Sequence, residues 1–187
     1  MVKKKACIFI SGQGSNLKNL ILRSRAENFP IKVSLVISNN TKANGINYAR
    51  KYKIPYIFIN CQLKNYENKI LFYLKKYKIS FICLAGFMKI ISKKIINSFE
   101  NKIINIHPSL LPKFKGLNTF KRVLKNKERK TGCTVHYVNN KLDDGNIIVK
   151  KFFYLSPNDN ENILKKKTQQ LEYRAYPEAI IKVFRNC

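Results

Sequence analysis

The stretch Asn105-Ile106-His107-Pro108-Ser109-Leu110-Leu111-Pro112 sets an amide and an imidazole two positions apart, directly after a run that reads as a parallel strand. Side chains alternate along a strand, so Asn105 and His107 share one face. The carboxyl end of such a strand is where open α/β sheets place their ligands. There an amide can donate to a developing oxyanion and an imidazole can move a proton. The chain has only two histidines, so acid–base work near neutral pH has few other candidates. The plainer alternative is an Asn and a His hydrogen-bonded into a loop. His136 lies inside an apolar alternating strand, where a structural role is expected.

Ser11-Gly12-Gln13-Gly14-Ser15-Asn16-Leu17 follows the first strand and opens the first helix. Two glycines let the backbone turn tightly and approach a ligand, and the N–H groups of a helix start favour an anion. The spacing is neither the dinucleotide fingerprint nor a Walker loop. Phosphate binding is one reading; a glycine turn with Ser15 or Asn16 as helix cap is the other. Asn139-Asn140-Lys141-Leu142-Asp143-Asp144-Gly145 lies between two late strands and reads either as a hairpin turn or as a carboxylate brought to His107 to hold its imidazolium form. No Ser sits on a G-x-S-x-G elbow, no Cys has a suitable partner, and no metal-ligand spacing occurs.

Periodicity supplies the elements that position these groups. Strands are expected at 6–10, 32–37, 55–59, 81–85, 103–106, 134–138 and 147–153. Helices are expected at 16–27, 42–51, 66–77 and 93–99, and a last one from about 162 to 184 that bends or restarts near Tyr176 because of Pro177. The β-α-β-α rhythm predicts an α/β fold: a single domain over residues 1–187, with an open, mostly parallel, twisted sheet, helices on both faces, and late strands partly antiparallel.

Composition narrows the class. The 187 residues carry 37 Lys and Arg against 10 Asp and Glu, a net charge of +27. That charge invites a nucleic-acid reading. Yet 30 Lys, 22 Asn and 24 Ile stand against 7 Ala and 7 Gly. Lys, Asn and Ile are the residues of A/U-rich codons, and no electrostatic need produces the Asn. The basic residues are spread along the chain in no block. Compositional drift on solvated faces is therefore expected, with no specific nucleic acid as partner. No apolar run approaches the roughly 20 residues that cross a bilayer, and no membrane association is expected. The early apolar run is broken at Ser11 without a cleavage site, so a buried strand is expected rather than a secretion signal. Cys7, Cys61, Cys83, Cys133 and Cys187 are odd in number and scattered, which points to a reducing cytoplasm.

Together these residues resemble the phosphoribosylglycinamide formyltransferase family of purine biosynthesis. The matching stretches are I-S-G-Q-G-S-N-L at 10–17, L-A-G-F-M-K-I-I at 84–91, I-N-I-H-P-S-L-L-P-K at 104–113, and G-C-T-V-H-Y-V-x-x-x-L-D-x-G from Gly132 to Gly145. The resemblance implies a Rossmann-like formyltransferase fold. It also implies transfer of the formyl group of 10-formyltetrahydrofolate, a co-substrate, to the amine of glycinamide ribonucleotide, without a metal, by a monomer or homodimer. By the same resemblance Asn105 would hydrogen-bond the tetrahedral oxyanion. His107 would act as general acid, with Asp143 orienting it and favouring its charged form. Gly14, Ser15 and Asn16 would hold the substrate phosphate and Glu172 the ribose hydroxyls. Met88, Lys89, Ile90 and Ile91, together with Asn105, Asn139, Asn140, Lys141, Leu142 and Asp143, would line the folate pocket. Where the family often has an Arg near the folate tail, Leu63 falls, with Lys64 beside it. Lys115 and Asn118 replace a common Pro and His. Methionyl-tRNA formyltransferase resembles the chain less well: it lacks the G-x-G-S-N opening and usually has Ala where Pro108 stands. Formyltetrahydrofolate hydrolase adds an N-terminal regulatory domain that is not expected before Ala6. An RNA-binding or degenerate use of the fold is opposed by the retention of Asn105, His107 and Asp143.

Overall fold

A computed structural model describes residues 2–185. Cys187, counted among the scattered cysteines, lies outside them. The described residues hold seven strands and six helices, and the chain forms two compact units that meet in sequence between Asn105 and Ile106.

In the first unit β1 (Lys4–Ile10), β2 (Ile31–Ser38), β3 (Tyr56–Phe58), β4 (Phe81–Leu84) and the start of β5 (Ile103–His107) lie in the order β3-β2-β1-β4-β5. All are parallel. Their crossovers carry α1 (Ser15–Arg23), α2 (Ile46–Lys51), α3 (Tyr66–Lys76) and α4 (Lys93–Ser98). Central parallel strands are covered on both faces and therefore read as continuous apolar runs. Ala6 to Ile10 and all of β4 are buried accordingly. Strand order reverses between β1 and β4, and the crevice outside the carboxyl ends at such a switch point is where ligands bind. The Ser11–Gly14 and Gly86–Met88 loops leave from those two ends.

In the second unit α5 (Thr119–Lys125) precedes β6 (Lys130–Tyr137) and β7 (Ile147–Tyr154), which pair antiparallel, and α6 (Glu161–Arg185) packs on both strands. The antiparallel pairing of the late strands agrees with the alternating pattern that predicted it. Two expectations need correcting, and one helix has no counterpart among them. The helix expected from Lys42 starts only at Ile46, because Gly45 N donates to Gly12 O at 3.0 Å and holds the preceding residues in turns. The α5 helix was not anticipated. The last helix, expected to bend or restart near Tyr176, does not restart: it is continuous from Glu161 to Arg185. Pro177 forgoes one backbone hydrogen bond, but Ala175, Tyr176, Pro177, Ala179 and Ile180 are all buried and hold the helix through it.

Candidate active site

His107 closes β5 and is buried at 6% exposure. Its Nδ1 lies 3.2 Å from Asp143 Oδ2, and its Nε2 lies 2.9 Å from the Phe114 carbonyl. Gly116 N donates to the same Asp143 oxygen at 2.9 Å, and the other carboxylate oxygen is 3.6 Å from His136 Nε2. His136 is buried and bonds the Tyr137 carbonyl through Nδ1 at 2.8 Å. The carboxylate expected near His107 is therefore there, and a second imidazole stands on its far side.

The charges follow from these partners. Burial is the largest influence on His107 and pulls its pKa below the usual histidine value. Asp143 and the Phe114 carbonyl push upward, His136 and Arg122 push down again, and burial prevails. Asp143 thus favours the imidazolium, as expected, but does not secure it near neutral pH. Burial also raises the Asp143 carboxyl. The hydrogen bonds from His136 and Gly116 and the charge of His107 outweigh it, and the group titrates below the usual carboxylate range.

Backbone shape fixes this cluster. Asp143 has φ +47, a left-handed conformation that costs a non-glycine residue energy and concentrates at functional sites. The β6–β7 ladder shifts register between Val135 and His136; such irregularities re-aim side chains. Thr134 Oγ1 donates to Ser109 O at 2.7 Å and accepts from Leu111 N at 3.1 Å, tying the His-Pro-Ser-Leu-Leu-Pro segment to β6. Lys115 pairs with Asp144, and Arg122 Nη1 donates to Lys115 O at 2.6 Å. Asn118 takes a left-handed φ as the N-cap of α5. The two residues that replace a common Pro and His thus have structural tasks here.

Asn105 lies two residues before His107 on β5 and pairs with Leu84. In the first unit, Gly14 is the N-cap of α1 at φ +74, with no side-chain cap bond and no acidic group in the first turn. Ser15 and Asn16 are therefore first-turn residues, not the cap that the plainer reading assigned them. A Cβ on Gly14 would stand 2.5 Å from Gly45 Cα, so both positions must be glycine for the loops to touch. Ser11 joins this loop to the next: its Oγ donates to Asn39 Oδ1 at 2.5 Å and accepts from Met88 N at 2.8 Å. Its N–H donates to Gly86 O at 3.1 Å. Glycine loop and 86–88 loop are thus brought together. Met88, Lys89 and Ile90 are exposed and Ile91 is buried. Leu142 is exposed in the second unit, with Asn139, Asn140 and Lys141 beside it in the β6–β7 connection. Glu172 lies half-buried on α6, near enough to Cys133 that its charge, added to burial, pushes that thiol up to about 12.

In the second unit's His107–Asp143 cluster, sequence reasoning assigned no part to His136 or Gly116, and in the first unit's glycine loop none to Ser11 or Gly45. A cavity of about 860 Å³ in the first unit lies elsewhere: Asn39, Phe58, Leu63, Tyr66 and Phe72 line it, and residues 88–91 do not. Among the described residues no three His, Cys, Asp or Glu side chains gather as a metal-binding group. No helix there is long and apolar enough to cross a membrane.

Comparison with known proteins places these residues in a family. A family model described as formyl transferase matches residues 4–180. The chain is 38% identical over 184 residues to phosphoribosylglycinamide formyltransferase of Haemophilus influenzae, covering 95% of this chain and 85% of that protein. It is 39% identical to the trifunctional purine biosynthetic protein adenosine-3 of Drosophila pseudoobscura pseudoobscura, but spans only 14% of that protein's length. Among solved structures, phosphoribosylglycinamide formyltransferase from Brucella melitensis superposes with a TM-score of 0.92 at 35% identity, covering 98% of this chain and 96% of that one. The Anaplasma phagocytophilum enzyme gives 0.91 at 36% identity, covering 96% and 85%. The expected fold class is that of these structures, and the chain belongs to the formyl transferase family, with similarity over 95% or more of its residues to phosphoribosylglycinamide formyltransferases.

Proposed function

We propose that the chain is a single formyltransferase domain that moves the formyl group of 10-formyltetrahydrofolate to the amine of 5'-phosphoribosylglycinamide. The observation that carries this reading is the buried His107–Asp143 pair at 3.2 Å, with Asn105 two residues earlier on the same strand face. One family model that spans both compact units supports the single domain.

In this reading the substrate amine attacks the formyl carbon and forms a tetrahedral intermediate. The Asn105 amide donates to the oxygen that becomes negative, where a fixed donor is worth most. Because burial keeps His107 below the usual histidine pKa, the imidazole first takes the proton that the attacking amine must lose. It then returns that proton, as general acid, to the departing folate nitrogen. Asp143, held ionised, orients the ring through Nδ1 and stabilises the cation formed between the two steps. With its one proton on Nδ1 toward Asp143, the neutral ring cannot donate to Phe114 O, so Nε2 turns its lone pair from that carbonyl to the substrate.

Gly14, Ser15 and Asn16 would hold the substrate phosphate on the N-terminal amides of α1, and Glu172 the ribose. The exposed apolar groups Met88, Ile90 and Leu142, with Lys89, Ile91 and residues 139–143, suit the flat pterin and its linker. The family's co-substrate fits this donor set without a resident metal. The absence of a disulfide among the described residues supports a cytoplasmic setting. The test is formyl transfer from 10-formyltetrahydrofolate with glycinamide ribonucleotide, initiator tRNA and water as parallel acceptors. Transfer to the ribonucleotide alone is expected; formylation of tRNA would replace this reading.

A further inference from the structure

We infer that the open face of the β6–β7 hairpin is a stacking platform for single-stranded RNA, bound without regard to sequence. The orientation of β7 is fixed by its contacts with α6. Lys151 pairs with Glu178 at 2.7 Å, and Lys167 stands 5.5 Å over the Phe153 ring. Residues 151 and 153 therefore face α6, and by strand alternation 150, 152 and 154 face the other way.

On that other side two aromatic rings stand in the open. Phe152 is 51% and Tyr154 69% exposed, and their centroids lie 5.7 Å apart, edge to face. Lys130, the cross-strand partner of Tyr154, holds its ammonium 5.1 Å from the Phe152 centroid. Beside Tyr154 is a shallow cavity of about 450 Å³ lined by Asn126, Lys127, Glu128, Arg129 and Lys130. Its single carboxylate is already neutralised, Glu128 being paired with Lys113 at 2.9 Å. Lys150 extends the row on the exposed side of β7.

A monomer gains nothing by leaving adjacent aromatic rings in water. Alternating rings and cations are what a single strand requires: unpaired bases stack on the rings while phosphates meet the ammonium and guanidinium groups. A duplex hides its base faces and can use only the charges. The net charge of +27 opposes a second copy of this chain as occupant and favours a polyanion. In the cytoplasmic setting proposed above, the abundant single-stranded polyanion is RNA. None of these residues belongs to the proposed active site.

The test uses the full chain and a fluorescently labelled oligouridine, titrated by anisotropy at low and near-physiological salt beside an RNA duplex of equal length. Phe152→Ala combined with Tyr154→Ala should weaken oligouridine at least about tenfold and the duplex little, since each stacked base is worth a factor of that order. Phe152→Leu with Tyr154→Leu keeps apolar area but loses the rings, and should weaken the oligomer as much. Lys127→Gln with Arg129→Gln should weaken both ligands and flatten the salt dependence. Lys75→Gln with Lys76→Gln, an equal charge loss on α3, should do much less. Formyl transfer should be unchanged throughout. Equal oligouridine affinity in wild type and both aromatic variants would overturn the inference. So would equal effects of the two charge pairs, or a wild-type dimer that the aromatic variants dissolve.

Discussion

Gly145 runs against the Tyr137 carbonyl so closely that no side-chain carbon fits between them. The same carbonyl accepts from His136 Nδ1 at 2.8 Å, and Tyr137 N donates to Asn146 O at 2.9 Å. One residue of β6 thus holds both His136 and the loop that carries Asp143. The glycine of the Leu-Asp-x-Gly motif is a spacer that lets the carboxylate reach His107.

Gly145→Ala should therefore damage the chemistry although residue 145 touches no substrate. The added methyl must push the 143–146 loop away from Tyr137 and move Asp143, already at φ +47, off its imidazole. A misplacement of about 1 Å can cost about 100-fold in rate. A loss of that order in kcat, with circular dichroism unchanged, is expected. Wild-type turnover in the alanine variant would show that the close approach has no part in placing Asp143.

How far the sequence reveals this arrangement depends on the range of each interaction. The buried runs of β1 and β4 and the periodic face of α3 are local signals, and the structure has those elements within a residue or two. The α5 helix was missed because its N-cap, Asn118, is held at a left-handed φ and its seven residues show little periodicity. Asn105 and His107 were legible because strand alternation alone joins them. The role of His136 was not. Its place in a strand is visible, but the register shift at Val135/His136 that accompanies its approach to Asp143 is a property of the pairing with β7. The contact of Gly14 with Gly45 joins distant loops, and neither glycine announces the other.

That contact yields the second prediction. Gly14→Ala places a Cβ 2.5 Å from Gly45 Cα at a residue with φ +74; Gly45→Ala places one 2.9 Å from Gly14 Cα. Either should shift the start of α1 and raise KM for the ribonucleotide by about tenfold or more, a cost near 1.4 kcal/mol. KM for the folate should change little. Ser15→Ala should act in the same direction more mildly. Equal effects on both substrates would remove the phosphate from this loop.

Asn105→Ala and His107→Ala should act on kcat instead. Both side chains are assigned to charge that exists only in the transition state, and loss of one oxyanion donor typically costs ~10²–10³ in rate. Ribonucleotide binding measured by calorimetry should survive in both variants. Substantial turnover in either folded variant would contradict the assignment.

Acid pH tests the His107–Asp143 pair as a unit. Burial holds His107 below its ordinary value, so it stays neutral, and able to take the amine proton, to a lower pH than a free imidazole at about 6.5. kcat/KM should fall only below that point. Asp143→Asn removes a carboxylate that raises the His107 pKa, so the acid limb should move to still lower pH while the maximum rate drops. Stability follows the same sign. His107 and Asp143 both titrate lower in the folded chain than in the unfolded one, so the unfolded chain binds more protons on acidification and stability declines. The contribution of His107 is complete above about pH 6.5 and is lost as pH falls below it; that of Asp143 is complete above about pH 3.9 and is lost as pH falls through its lower folded value. Urea midpoints between about pH 7.5 and 5 should decline for the wild type and less steeply for His107→Gln, which cannot take up a proton. Identical slopes for the two proteins would exclude His107 as a source of the acid sensitivity.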